Sequence, residues 1–128
     1  MTAEVAVFPS AELLVIGALA PSFPDYRFVT TLPATLPAVC ARITRISGAA
    51  RSVVLDQSVI DIDVFTGDYG TSDLASREIQ SAMLSIRGKP QLIGVIASVN
   101  VVNGPRRLPD PNPALFRFNA TYELHAHA

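Results

Sequence analysis

Residues 115–127 alternate between apolar and polar side chains from Phe116 onwards, and this pattern constrains the fold more than any other feature of the chain. Successive side chains of a β-strand point to opposite sides of the sheet, so a period of two predicts a long strand with one buried face. The apolar set is Phe116, Phe118, Ala120, Tyr122 and Leu124, and the polar set is Arg117, Asn119, Thr121, Glu123 and His125. Such a strand requires partner strands and a layer that covers its apolar face.

Four further segments have strand-like patterns. Residues 26–31 and 39–46 favour β-structure. A third strand includes residues 60–64, and residues 52–55 either belong to it or form a separate piece. Its apolar side is Ile60, Ile62 and Val64, and its polar side is Asp61 and Asp63. Residues 92–102 are almost entirely apolar, which predicts a central strand that is covered on both faces.

Two segments predict helices. Ser10 is a suitable N-cap for a first, short helix, which Pro21 would end. The second helix is expected from residue 71 or 72 to residue 87, followed by Gly88 as the residue that terminates it. Its apolar stripe is Ala75, Ile79, Ala82, Met83 and Ile86.

The order of these elements is helix, three strands, helix and two strands. Residues 104–113, which connect the last two strands, contain too many prolines to form regular structure. We therefore expect one α+β domain over residues 1–128, with a mainly antiparallel sheet of four to five strands and two helices packed on one face.

The composition favours assembly over chemistry. Hydrophobic residues make up 49% and charged residues 16% of the chain, against about 25% charged in an average domain. We infer that other copies or other proteins cover part of the surface. Nine of the ten cations are arginine, which suits protein interfaces, and the net charge of −1 gives no basic footprint for nucleic acid.

The longest apolar run, residues 13–20, is too short to cross a membrane, and no basic region precedes it as in a secretory signal. We therefore expect no membrane partner and a protein that is made in the cytoplasm. The single cysteine, Cys40, excludes an intramolecular disulfide. No histidine lies near Cys40 in the sequence, so nothing there indicates that its thiol is a catalytic nucleophile.

Three groups of residues could carry chemistry. Asp61 and Asp63 could hold a hard cation, although a solvated sheet face is the simpler interpretation. Glu123, His125 and His127 share a strand face and suit zinc or iron, but they lie where chain ends commonly fray.

The third group is Arg106 and Arg107, which could meet a phosphate or a partner's carboxylate, or lie in a solvated loop. The chain has no phosphate-binding loop, dinucleotide fingerprint, G-x-S-x-G elbow or H-E-x-x-H motif. We expect no catalytic site, no metal and no cofactor.

The second half of the chain resembles the tail terminator proteins, also called tail completion or minor tail proteins, of long-tailed siphovirus-type phages, especially those that infect actinobacteria. The resemblance lies in the order of strand 59–65, helix 73–84, a long apolar strand, the segment 104–111 and strand 117–124. Residues 36–42 fit the same pattern. The resemblance covers residues 36–125. It rests on the order of the elements and on their apolar and polar patterns, since no chemical motif defines the family.

The resemblance implies a structural virion protein with a tail-terminator-like fold. Six copies would form a ring at the head-proximal end of the tail tube and stop tube polymerisation. The expected partners are further copies of the chain, the major tail tube protein and the neck, or head–tail connector, proteins. DNA would pass through the lumen without specific binding, and Asp61 and Asp63 are candidates for an acidic lining.

On this interpretation, the turn at residues 66–70 and the loop at residues 104–113 would contact a neighbouring subunit or the tube. The candidate interface residues are Gly67, Asp68, Tyr69, Arg106, Arg107, Leu108 and Asp110. Arg77 and Glu78 would form the outward face of the second helix. Residues 11–32 carry nothing specific to the family, which leaves a neck adaptor or stopper protein as an alternative. From a different class, the alternative is a small metal-dependent enzyme that uses Glu123, His125 and His127.

Overall fold

The structure, a computed structural model, describes residues 7–88, 90–91 and 94–127. Within these residues, two helices and six strands follow each other. They are α1 (Ala11–Leu19), β1 (Arg27–Val29), β2 (Cys40–Ser47), β3 (Leu55–Thr66), α2 (Tyr69–Ser85), β4 (Pro90–Gln91), β5 (Gly94–Leu108) and β6 (Phe116–His127). A short 3-10 helix, Ala20–Ser22, extends α1.

All six strands form one sheet in the order β1-β2-β3-β6-β5-β4. Only β1 and β2 are parallel; the other four pairs are antiparallel. The predicted α+β fold with a mainly antiparallel sheet is therefore confirmed. Four long strands build the sheet, and two short edge strands, of three and two residues, bring the number to six.

The alternating patterns of β3 and β6 lie in register. Ile60 pairs with Tyr122, and Ile62 pairs with Ala120. Residues paired across antiparallel strands share a face, so the apolar sides of both strands combine. We call this side the helix face, because both helices pack on it. The core between them includes Leu14, Leu19, Ala75, Ile79, Met83, Ile43, Ile60, Ile62, Tyr122 and Leu124.

The opposite side of the sheet, which we call the polar face, carries the other half of each alternation. Asp61 pairs with Thr121, and Asp63 pairs with Asn119 in β6 and Arg42 in β2. The structure places neither α1 nor α2 on this side. The two chemically distinct faces thus follow directly from the period-two patterns.

Both helices begin at side-chain caps. The Ser10 hydroxyl accepts a 3.3 Å hydrogen bond from the Leu13 amide, as the sequence predicts. The second helix begins at Tyr69, two to three residues earlier than expected, because Asp68 caps it. It ends at Ser85, and Gly88 follows with φ +76°, a conformation that glycine adopts without strain.

Strand β5 differs most from its prediction. It spans Gly94–Leu108 instead of residues 92–102, and residues 92–93 lie outside the described part of the chain. It is not a central strand: β4 pairs with it only at Gly94 and Val95, and residues 100–104 are exposed. It also continues through Gly104 and Pro105, where we expected irregular structure. A register shift between Asn103 and Arg106 accommodates this proline.

No helix within the described residues is long and apolar enough to span a membrane.

Candidate assembly surface

The two candidate interface segments meet in space. The turn between β3 and α2 lies beside the segment that joins β5 to β6, and a Cβ at Gly67 would lie 4.0 Å from the Ala114 carbonyl oxygen. We call this region the assembly surface; it comprises residues 66–70, residues 106–116 and Phe118. The sequence predicts the turn and the connecting segment as two separate contact sites, and the sheet register places them next to each other.

Buried hydroxyl groups fix the turn. The Thr66 hydroxyl donates to the Asp68 carbonyl at 2.7 Å and is hydrogen-bonded to the Ser72 hydroxyl. The hydroxyl of Ser72 also reaches the Phe116 carbonyl at 2.8 Å. Thr66 and Ser72 are both buried, so the start of α2 is tied to the start of β6 in a water-poor environment.

Asp68 has a structural role at this turn. Its Oδ2 accepts 2.9 Å hydrogen bonds from the Thr71 amide and the Thr71 hydroxyl. These bonds to the Thr71 backbone and side chain hold the pKa of Asp68 below its ordinary value, because they favour the ionised carboxylate. Its carboxylate is therefore occupied in capping α2.

Tyr69 forms the centre of an aromatic cluster. Its ring contacts Phe118 edge-on at 5.3 Å between centroids and Phe116 at 6.1 Å. Tyr69 remains 49% exposed. Aromatic side chains that are anchored on one side and open on the other supply large contact area at low entropic cost, as hot spots of protein interfaces do.

Arg107 lies over this cluster. Its guanidinium carbon is 5.5 Å from the Tyr69 centroid and 5.2 Å from the Phe116 centroid, within the range of cation–π attraction. Arg107 pairs with Phe118, which puts it on the helix face. The structure therefore joins two independently nominated residues, Tyr69 and Arg107, in one contact.

Arg106 lies on the other side of the sheet. It pairs with Asn119 on the polar face, and Leu108 pairs with Arg117 on that same face. The side chains of consecutive strand residues point to opposite faces of the sheet, so Arg106 and Arg107 cannot bind the same phosphate. The expectation of an adjacent pair of loop cations is wrong, because residues 106–108 belong to β5.

The rest of the connecting loop is locally ordered. Asp110 Oδ2 accepts from the Asn112 amide at 2.9 Å, and Asn112 Oδ1 accepts from the Ala114 amide at 3.0 Å. These two bonds are of the kind that asparagine and aspartate use to build turns. The loop is thereby held in one shape beside the aromatic cluster.

Arg77 and Glu78, the two residues expected on the outward face of α2, differ in their exposure. Arg77 is exposed and forms an ion pair with Asp73 one turn earlier, at 3.1 Å. Glu78 is half-buried and accepts a 3.0 Å hydrogen bond from the Tyr26 hydroxyl. Glu78 therefore anchors the segment before β1, and the expectation that it points outward is wrong.

The polar face contains an ion network that the sequence did not predict. Asp63, only 2% exposed, accepts from Arg117 Nε at 2.8 Å, from Asn119 at 3.0 Å and from Arg42 at 3.3 Å. Both guanidinium groups also lie over the Phe65 ring. Asp63 is thus neither a solvated carboxylate nor available to a cation or an acidic lining, and Asp61 is engaged by the Thr121 hydroxyl at 2.6 Å.

The C-terminal Glu123, His125 and His127 have separate partners. Glu123 accepts from Gln57 at 2.9 Å, His125 Nδ1 is 3.0 Å from the Ser98 hydroxyl, and His127 Nδ1 is 3.1 Å from the Val54 carbonyl. Within residues 7–88, 90–91 and 94–127, no three His, Cys, Asp or Glu side chains are arranged to hold a metal. The metal-dependent alternative therefore gains no support from the geometry.

Cys40 is buried at the start of β2, where it pairs with Arg27 of β1 and lies near Arg42. Burial raises the pKa of its thiol, since the charged thiolate is disfavoured away from water. A protonated, inaccessible thiol is a poor nucleophile.

Comparison with solved structures shows a likeness in fold. A chain in the virion of a native gene transfer agent particle superposes with a TM-score of 0.59, at 10% sequence identity, over 94% of this chain and 87% of that chain. At this identity the likeness establishes a shared fold. No protein-family model and no curated protein matches the sequence.

Proposed function

We propose that this protein is a structural virion protein of a long-tailed phage or phage-like particle. The observation that carries the proposal is the fold shared, almost from end to end, with a chain of a gene transfer agent virion. The residues add support, because the surface offers aromatic and arginine side chains suited to assembly while the candidate catalytic groups are engaged in structural contacts.

Within the virion, we assign the protein to the tail terminator ring. The order of elements that resembles tail terminators supports this proposal: β3, α2, β5 and β6 follow each other in the structure, and β3 and β6 have the expected faces. The ring would contain six copies at the head-proximal end of the tail, with the tail tube protein on one side and the neck proteins on the other. DNA would pass through it without specific binding.

The sheet edges suit a closed ring. From Ser98 onwards, the outer edge of β5 has no strand partner among the described residues, and Val102 on it is 52% exposed. An uncovered edge of this length is a template for pairing with another chain. Head-to-tail contacts that cover one edge per copy close into a ring when the rotation between copies allows it.

The assembly surface is the second proposed contact. Gly67, Asp68, Tyr69, Arg107 and Asp110 lie together at one end of the sheet, whereas Arg106 and Leu108 reach the polar face from the same strand. A neighbouring subunit or the tail tube would therefore contact these residues from two sides of β5.

Electron microscopy of lysates from particles that lack this gene tests the proposal. Overlong tails without heads are expected, since nothing would stop tube growth. Normal-length tails beside separate filled heads would instead indicate a neck adaptor or stopper. Intact infectious particles would contradict a structural role in the virion.

A further inference from the structure

Arg107 is held in place but forms no ion pair within the described part of the chain. The four ion pairs among the described residues use Arg42, Arg45, Arg77 and Arg117. Arg107 instead lies over the rings of Tyr69 and Phe116. A guanidinium held against ring faces by cation–π attraction can still donate hydrogen bonds from N–H groups that do not face the rings.

The carboxylates of the assembly surface are already engaged. Asp68 accepts two hydrogen bonds from Thr71, and Asp110 accepts one from the Asn112 amide. Neither forms an ion pair with Arg107 in the described part of the chain. Among the described residues, Arg107 thus remains available to an anion from a partner.

We propose that the Arg107 guanidinium, fixed against Tyr69 and Phe116, receives a carboxylate from a partner protein of the virion. The inference rests on the proposed virion function and names the chemistry of one contact. The contact with the two rings restricts the guanidinium before the partner arrives, so less side-chain entropy is lost on binding. The bond forms beside an exposed aromatic ring, where partial exclusion of water strengthens it.

A protein carboxylate fits better than a nucleic-acid phosphate. Arg106, the neighbouring cation, points to the other face of the sheet. Phosphate backbones are bound by several cations in a row, and the chain carries a net charge of −1. The neighbours of Arg107 are aromatic, as in the core of a protein interface.

The test uses particles produced without this protein, to which the purified protein is added back. Bound protein per particle is measured after sedimentation, at a series of protein concentrations. Arg107→Gln and Arg107→Lys are each expected to weaken binding at least tenfold, because neither side chain presents the planar charged fork. Arg77→Gln is the matched control, since Arg77 is also exposed but is paired with Asp73, and it should bind as the wild type does.

The outcomes separate the two proposals. Failure of the wild-type protein to bind would overturn the virion function together with this contact. If the wild type binds and Arg107→Gln binds equally well, the contact is wrong and the virion function stands. Wild-type-like binding by Arg107→Lys would show that a point charge suffices and would overturn the stacked fork. Loss of binding after nuclease treatment of the particles would assign the anion to nucleic acid.

A folding control accompanies these variants. Thermal melting of Arg107→Gln should match that of the wild type within a few degrees, because Arg107 is exposed. Tyr69→Phe keeps the ring beneath the guanidinium and should retain binding, whereas Tyr69→Ala removes one of the two rings and should weaken it. Equal binding by both Tyr69 variants would contradict the role of stacking.

Discussion

The carboxylate of Asp63 accepts a 2.8 Å hydrogen bond from Nε of Arg117, although the two residues lie 54 positions apart in the chain. The same carboxylate is paired with Arg42 on the other side. One buried charge thus ties the three strands β2, β3 and β6 together across the polar face. A buried charge is tolerated when ion pairs and hydrogen bonds replace its hydration.

Replacing Asp63 by alanine should destabilise the protein by roughly 3 kcal/mol, the lower end of the range for breaking a buried ion pair, because the two arginines remain partly accessible to water. Urea unfolding monitored by circular dichroism measures the change. Asp61→Ala, two residues earlier on the same face, is the control. It loses the bond to Thr121 and should cost about 1 kcal/mol. Equal losses from both variants would contradict the special role of Asp63.

Tyr122 should tolerate loss of its hydroxyl group. Its Oη is buried and has no hydrogen-bond partner among the described residues, and burial raises the pKa of this phenol. Tyr122→Phe should therefore leave stability unchanged or raise it, by up to about 1 kcal/mol. Tyr26→Phe, which removes the bond to Glu78, should lower stability by about 1 kcal/mol. Thermal melting of both variants provides the comparison, and a less stable Tyr122→Phe would reveal a hydroxyl partner.

Much of the fold is readable from local sequence patterns. The alternation in residues 115–127 predicts β6 and its two faces, and Ala75, Ile79 and Met83 are buried as the helical stripe predicts. Ile60, Ile62 and Val64 likewise face the core. These features depend on periodicity alone, which each segment carries within itself.

Strand order and register are not contained in local patterns. The apolar run at residues 92–102 favoured a central strand, yet β5 lies near the sheet edge with its second half exposed. The Asp63 network likewise needs β2 and β6 to pair with β3 at one specific offset. The high proline content of this segment predicts irregular structure, whereas β5 continues through Pro105.

The candidate site was predicted in parts. Tyr69 and Arg107 were nominated from separate segments, but their contact depends on the early start of α2 and on the β5–β6 register. The same register sends Arg106 and Arg107 to opposite faces. A strand over residues 106–108 separates these two arginines by its period of two, whereas a loop does not.

Stability at acidic pH should depend on Asp68. Its pKa is lower in the folded protein than the ordinary value of 3.8, because Thr71 donates two hydrogen bonds to the carboxylate. The corresponding stabilisation is present above the pKa of the unfolded chain and is lost as the pH falls through the folded pKa. Asp68→Asn keeps a good N-cap but cannot ionise, so its melting temperature should fall less steeply below about pH 4. An equally steep fall of the melting temperature at acidic pH in the wild type and in Asp68→Asn would contradict this assignment.

The exposed edge of β5 should govern self-association. Val102 is 52% exposed on that edge, and a lysine there would place a charge where a strand of the next copy would pair in the proposed ring. We expect Val102→Lys to abolish ring formation while leaving the melting temperature of the isolated chain nearly unchanged. Val53→Lys is the matched control, because Val53 is 82% exposed and lies outside the named strands, before β3. Sedimentation velocity of the purified variants, alone and on tail tubes, measures the outcome. Rings that form equally well with both variants would show that copies meet elsewhere, and the assembly surface around Tyr69 would then be the remaining contact to test.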